Sequence, residues 1–185
     1  MPSQTEFSLP ETAALLTRTP ATLDALLRGL PDTWTHYNEG KDSWSPYDIM
    51  GHMVLAERDD WIPRVRHILA NGDSQPFPPF DRFTQMREPQ LKSLEQLLDD
   101  FTVLRSESLN TLQFLNLQPQ DLARPGRHPS LGSVTLAQLL ATWAIHDLTH
   151  LHQLSRVMAH QYRDAVGPWS VYLGVLQCAG HSASS

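Results

Sequence analysis

Residues 144–154, AIHDLTHLHQL, set three histidines, an aspartate and a glutamine into an otherwise apolar run. His146 and His150 are four residues apart, so on a helix they project from one face, one turn above the other. Gln153, seven residues past His146, shares that face. His152 does not, being rotated roughly 120° away. Upstream, Thr135-x-x-Gln138 is a capping-box pattern, which predicts a helix starting there and running to about Tyr162. The pair therefore has metal-ligand spacing on a helix patterned for a core. Spacing alone also admits a second reading. Neutral imidazoles in apolar surroundings cost ~1–3 kcal/mol each when unpartnered, and Gln153 or a carbonyl could partner them as well as a metal.

Outward from this stretch, apolar residues recur at helical spacing and alternating strand-like runs are missing. Residues 9–18 read as a first helix. Thr19-Pro20 reads as an N-cap with proline at N1 of a second piece ended by Pro31, the two being separate helices or one kinked helix. Residues 31–44 read as a loop. Ser45-Pro46, with Asp48 in the first turn, opens a helix that runs to Asn71-Gly72, with a kink expected at Pro63. Residues 72–87, rich in Pro and Phe, read as a packed loop over a pocket. Glu88-Pro89 opens a helix to about Asn116, with Leu91, Leu94, Leu97, Leu98, Phe101, Leu104, Leu109 and Leu112 as its buried stripe. Residues 117–134 form a second long loop. Gly167-Pro168-Trp169 ends the histidine-bearing helix, residues 170–178 make a short last helix, and 179–185 are a frayed tail. The expected fold is all-α: a four-helix bundle with a short extra C-terminal helix, one domain over residues 1–178.

The chain has 185 residues and a formal charge of −6, with no basic block, so a nucleic-acid partner is not expected. Its one cysteine, Cys178, excludes an internal disulfide and a Cys-rich zinc site. With nine histidines, any metal would be held by imidazole and oxygen. The N-terminus lacks the pattern of a signal peptide, and no apolar run approaches the ~20 residues that span a bilayer. The expectation is a cytoplasmic protein without membrane association.

A third ligand should point inward from another helix, and His52 fits. It lies seven residues past the Ser45 cap, among Ile49, Val54, Leu55 and Ala56. Three histidines and an open position suit a borderline metal; zinc, nickel, iron and manganese all remain open. The zinc-protease pattern fits poorly. His146-Asp147-Leu148-Thr149-His150 has aspartate where the general base should be, and Arg156 stands where a third histidine should follow. His67, His152 and His160 read as surface or loop-facing histidines, and His36 and His181 lie in weakly structured regions. His128, beside Pro129 in the long loop, could reach a pocket. Trp44, Trp61, Trp143 and Trp169 read as core or hinge anchors. Glu57, Arg58, Asp59 and Asp60 read as a solvated helix face. Asp59, on the face of His52, could support that ring or pair with Arg64 or Arg66. Phe80-Asp81-Arg82-Phe83 reads as loop anchors, or as a pocket lid in which Arg82 meets an anionic group.

Together, Trp44-Ser45-Pro46-Tyr47-Asp48-Ile49-Met50-Gly51-His52, the later Trp143-x-x-His146-Asp147-x-x-His150-x-x-Gln153 and the ending Gly167-Pro168-Trp169 with Tyr172-Leu173 resemble the DinB-like, YfiT-like superfamily over nearly the whole chain. The resemblance implies a four-helix bundle, often a homodimer, with a divalent metal on His52, His146 and His150 at one end. Characterised members include thiol-dependent enzymes, a mycothiol-dependent maleylpyruvate isomerase and bacillithiol S-transferases. Three functions follow as expectations. One is a thiol-dependent S-transferase or isomerase-like activity, with a low-molecular-weight thiol activated by the metal and a small-molecule electrophile as substrate. The second is a metal-water hydrolase. The third is a non-catalytic, stress-related metal-binding protein.

Overall fold

The computed structural model describes residues 7–40, 43–81, 84 and 91–178. Helix α1, Leu9–Leu16, starts where the Ser8 side chain accepts from the Glu11 N–H. Helix α2 is Thr19–Leu27. Pro20 explains the break between them, because it has no N–H for the Leu16 carbonyl and its ring crowds that oxygen. Thr19 lies buried in the first turn of α2 and does not cap it. A single turn, α3 (Asp32–Thr35), interrupts the segment read as loop.

Helix α4, Pro46–Asp59, opens on a complete capping box between Ser45 and Asp48. Helix α5, Trp61–Asn71, follows directly. The interruption falls at residues 59–60, ahead of the expected position, because the Pro63 ring crowds the carbonyl four residues before it. Pro63 itself sits in the first turn of α5, where a missing N–H forfeits no helical bond. Gly72 ends α5 at φ 59°, a conformation that favours glycine.

Helix α6 is Leu94–Phe114 and starts later than Glu88-Pro89. Its capping box is Ser93 with Gln96, a stronger start signal than the proline. Leu91 precedes the helix and is 90% exposed, so it does not belong to the buried stripe, whereas Leu97, Leu98, Phe101 and Leu112 do. Residues 85–90 lie outside the described residues. The second long loop contains one helical turn, α7 (Pro119–Leu122), and an antiparallel hairpin of β1 (Pro125–His128) and β2 (Gly132–Thr135). Strands this short carry too little alternation to be read from sequence.

Helix α8, Leu136–His160, begins at the Thr135–Gln138 capping box as expected. The short last helix is two 3-10 segments, Gly167–Tyr172 and Gly174–Leu176, separated at Leu173. Trp169 lies on this segment and is 70% exposed, so it anchors no core.

The columns α1/α2, α4/α5, α6 and α8 pack as a four-helix bundle around two apolar clusters. One joins Trp61, Val65 and Ile68 of α5 to Leu136, Leu140 and Trp143 of α8. The other joins Ile49, Met50 and Met53 of α4 to Leu97, Leu98 and Phe101 of α6 and Leu154 and Val157 of α8. Among the described residues of the connection after α5, Phe77 packs inward fully and Phe80 in part, while residues 73–76 are exposed. Phe77 is buried, and its N–H bonds the Arg127 carbonyl of the hairpin at 2.8 Å. No helix among the described residues is long and apolar enough to cross a membrane.

Candidate metal centre

The bundle brings His52 of α4 together with His146 and His150 of α8. The His146 Nε2 lies 3.2 Å from the His52 Nε2 and 3.1 Å from the His150 Nε2. The three ligand atoms all fall within 4.8 Å of one another. Two nitrogens held ~2.0–2.1 Å from one ion at near-tetrahedral angles lie ~3.1–3.4 Å apart, so the donor set fits a divalent cation. His52 and His150 are buried and His146 is partly exposed.

The local environment sets the protonation of two of these rings, His150 and His146. The His150 Nδ1 lies 2.8 Å from the Gln153 Oε1. An amide oxygen only accepts, so Nδ1 carries the proton and the Nε2 lone pair faces the other histidines. Burial, with His150, His52 and Arg105 nearby, holds the His146 imidazole well below its ordinary pKa. That ring is neutral at physiological pH. Its buried Nδ1 has no hydrogen-bond partner among the described residues.

Aromatic rings fix the edges of the cluster. Trp44 lies 4.9 Å from His52 and stacks nearly parallel to His150, at 6.3 Å and 10°. Trp61 meets His146 edge-on at 5.0 Å. Trp44 and Trp61 are thus wall residues of the site as well as anchors of the bundle. Phe80 approaches His52 at 6.2 Å, so the connection after α5 does reach the site. Of the rest of the expected lid, Asp81 is exposed, and Arg82 and Phe83 lie outside the described residues, as does His181.

A buried ionic network lies beside the histidines. The Arg105 Nη1 donates to the Asp147 Oδ2 at 2.6 Å and to the Leu16 carbonyl at 2.9 Å. Its Nη2 donates to the Asp147 Oδ1 at 3.0 Å and to the Glu57 Oε2 at 2.9 Å. The Trp143 Nε1 donates to the same Glu57 oxygen at 3.2 Å. Burial pushes the Glu57 carboxyl above its usual range, against the opposing pull of Arg105. Two residues read as a solvated face are therefore interior, Glu57 in this network and Asp60 in an ion pair with Arg64 at 2.7 Å. Arg58 and Asp59 are exposed and pair with each other.

Sequence reading missed Arg105, although a signal was present. It lies four residues past Phe101 and seven past Leu98, on the buried stripe of α6. His128 is the last residue of β1. Its Nδ1 accepts from the backbone N–H groups of Ser130 and Leu131, so it shapes the hairpin turn. His67 meets the Gln75 carbonyl, His160 meets the Tyr37 hydroxyl, and His152 is exposed. His36 stacks on Tyr47 at 4.7 Å.

Residues 15–154 match the family model of the DinB superfamily, and the chain belongs to that family. The fold is similar to YfiT from Bacillus subtilis, described as a probable metal-dependent hydrolase with an unusual four-helix bundle topology. The TM-score is 0.70 at 18% identity, covering 84% of this chain and 90% of YfiT. It is also similar to TT2238, a four-helix bundle protein, with a TM-score of 0.51 at 22% identity over 80% of this chain and 98% of that one. No curated protein matches the sequence.

Proposed function

We propose that the protein is a divalent-metal-dependent enzyme of small-molecule substrates, with His52, His146 and His150 as the metal ligands and hydrolysis as its reaction. The observation that carries this reading is the convergence of three neutral-capable Nε2 atoms from two helices, with the tautomer of His150 set by Gln153. A metal held by three protein ligands keeps a position open, and the Lewis acidity it supplies there lowers the pKa of a water or thiol toward neutral. The description of YfiT as a probable hydrolase supports the choice of water. The protein's own residues would orient the three histidines, and Trp44 and Phe80 flank His52. Dimerisation and a cytoplasmic location belong to this proposal as further expectations.

One observation favours a second reading, thiol-dependent S-transfer. Asp147, the carboxylate nearest the histidine pair in sequence, is tied to Arg105, and the metal-type cluster among the described residues contains no carboxylate. A low-molecular-weight thiol is acidic enough to ionise without a neighbouring base.

The test is a substrate screen of zinc-, nickel- and manganese-loaded protein with activated esters and amides, and with small electrophiles plus low-molecular-weight thiols. Metal-dependent, thiol-independent turnover with a rate limb near neutral pH supports the hydrolase. Turnover only with a thiol selects the transferase. Equal rates for wild type and His150→Ala in both screens would contradict either.

A further inference from the structure

The histidine ligands come from two helices, so the site is only as well defined as the spacing between α4 and α8. We propose that Arg105 of α6 is a positioning residue for the three-histidine centre, clamping α4 to α8 by binding Glu57 and Asp147 at once. The inference rests on the metal-centre reading above.

Both carboxylates lie close in sequence to ligands. Glu57 is five residues past His52 on α4, and Asp147 is the neighbour of His146 on α8. The guanidinium reaches both from a third helix. It binds Asp147 in two-point fashion through Nη1 and Nη2 and holds Glu57 through Nη2. That geometry requires the planar fork of arginine, since an ammonium group is a point charge. All three side chains are about 1% exposed. A side chain with this many dihedrals is costly to order, and here several contacts hold it. Its plane sits over Phe101 at 4.8 Å and Trp143 at 5.3 Å. Its Nη1 also meets the Leu16 carbonyl, the acceptor that Pro20 leaves without a helical donor.

A second route links the clamp to the ligands. Trp143 donates to Glu57 and stacks on Trp61 at 5.8 Å and 11°, and Trp61 packs edge-on against His146. Stability alone is a weak reason for such a network. One cation faces two buried carboxyl groups, and apolar residues of similar volume commonly replace buried ion groups without loss. What they do not replace is a fixed register between two helices. Metal ligands depend on that register, because outer hydrogen bonds that orient them are worth ~10–100-fold in metal affinity.

The experiment compares wild type with Arg105→Lys and with the combined variant Glu57→Leu, Arg105→Met, Trp143→Phe and Asp147→Leu. The combined variant removes charges and donors together, so the bundle can stay folded without the clamp. Far-UV circular dichroism of the metal-free proteins verifies the fold. Zn2+ affinity is read by competition with a chromophoric chelator, and ligand geometry by the visible spectrum of the Co2+ form. The expected result is native helix content in the combined variant, Zn2+ binding weakened roughly tenfold to hundredfold and an altered Co2+ spectrum. Arg105→Lys, which keeps the charge and loses the fork, should fall between the two. A folded variant of either kind with wild-type Zn2+ affinity and an unchanged Co2+ spectrum overturns the clamp and leaves the metal centre standing. Wild-type protein that takes up neither ion overturns the metal-centre reading, and the clamp with it.

Discussion

His150 gives its Nδ1 proton to the Gln153 Oε1 at 2.8 Å, within one turn of α8. The hydrogen bond decides which nitrogen of His150 faces His52 and His146. It also meets the polar need of two buried side chains, each about 5% exposed or less.

Gln153→Leu keeps the volume and deletes the acceptor. Zn2+ affinity is expected to fall ~10–100-fold, with the metal-free protein destabilised by ~1–3 kcal/mol through the unpaired Nδ1–H. Gln153→Glu keeps an acceptor and should retain most of the binding. Chelator competition and chemical denaturation measure both effects. A leucine variant that binds as tightly as wild type would show that the tautomer is not set here.

The hairpin rests on α5 through Gly126, where no side chain fits. A Cβ at this position would lie 2.6 Å from the Ile68 Cγ1, 2.9 Å from its Cδ1 and 3.0 Å from the Phe77 Cζ. Ile68 and Phe77 are both buried, so neither can swing into solvent. Gly126→Ala is expected to cost ~1–3 kcal/mol in urea unfolding, the range of core overpacking. The atoms nearest that Cβ belong to Ile68 and Phe77 and to none of the three histidines, so metal content should not change. An unchanged midpoint would mean that the hairpin is free to lift off α5.

Asp60 gives the protein a pH-dependent element. Burial, outweighing the pull of Arg64, raises its carboxyl from 3.8 to about 6. Between about pH 4 and 6 the folded state therefore binds more protons than the unfolded chain, so this residue's contribution to stability is present at low pH and lost as pH rises. Asp60→Asn removes that titration. The stability of the variant relative to wild type should rise by roughly 1–3 kcal/mol from pH 4 to pH 7 and then level off. Denaturation midpoints across this range check the sign, and a flat or falling difference would contradict it.

The sequence carried the bundle and the gathering of its three histidines because both rest on strong local signals. The capping boxes at Ser45 and Thr135 set the starts of α4 and α8, and thereby the depth of His52, His146 and His150 in the bundle. Pro89 suggests an opening for α6 that Ser93 and Gln96 in fact provide. The hairpin was hidden because four-residue strands have almost no period to detect. The Arg105 network was hidden for a different reason. Charged residues usually lie outside, so Glu57 and Asp60 read as solvated, although Glu57 has a buried partner on another helix and Asp60 pairs with Arg64 four residues on. The exposure of Trp169 is the converse case, a large apolar residue that the bundle leaves outside.

Metal content by plasma mass spectrometry tests the central claim most directly. It should be measured on protein purified without a histidine tag, beside His52→Ala, His146→Ala and His150→Ala. The account predicts about one divalent metal per chain in wild type, lost in all three variants although their ligands lie on two helices. Wild-type protein that stays empty after reconstitution with zinc, nickel and manganese, or variants that keep their metal, would contradict it.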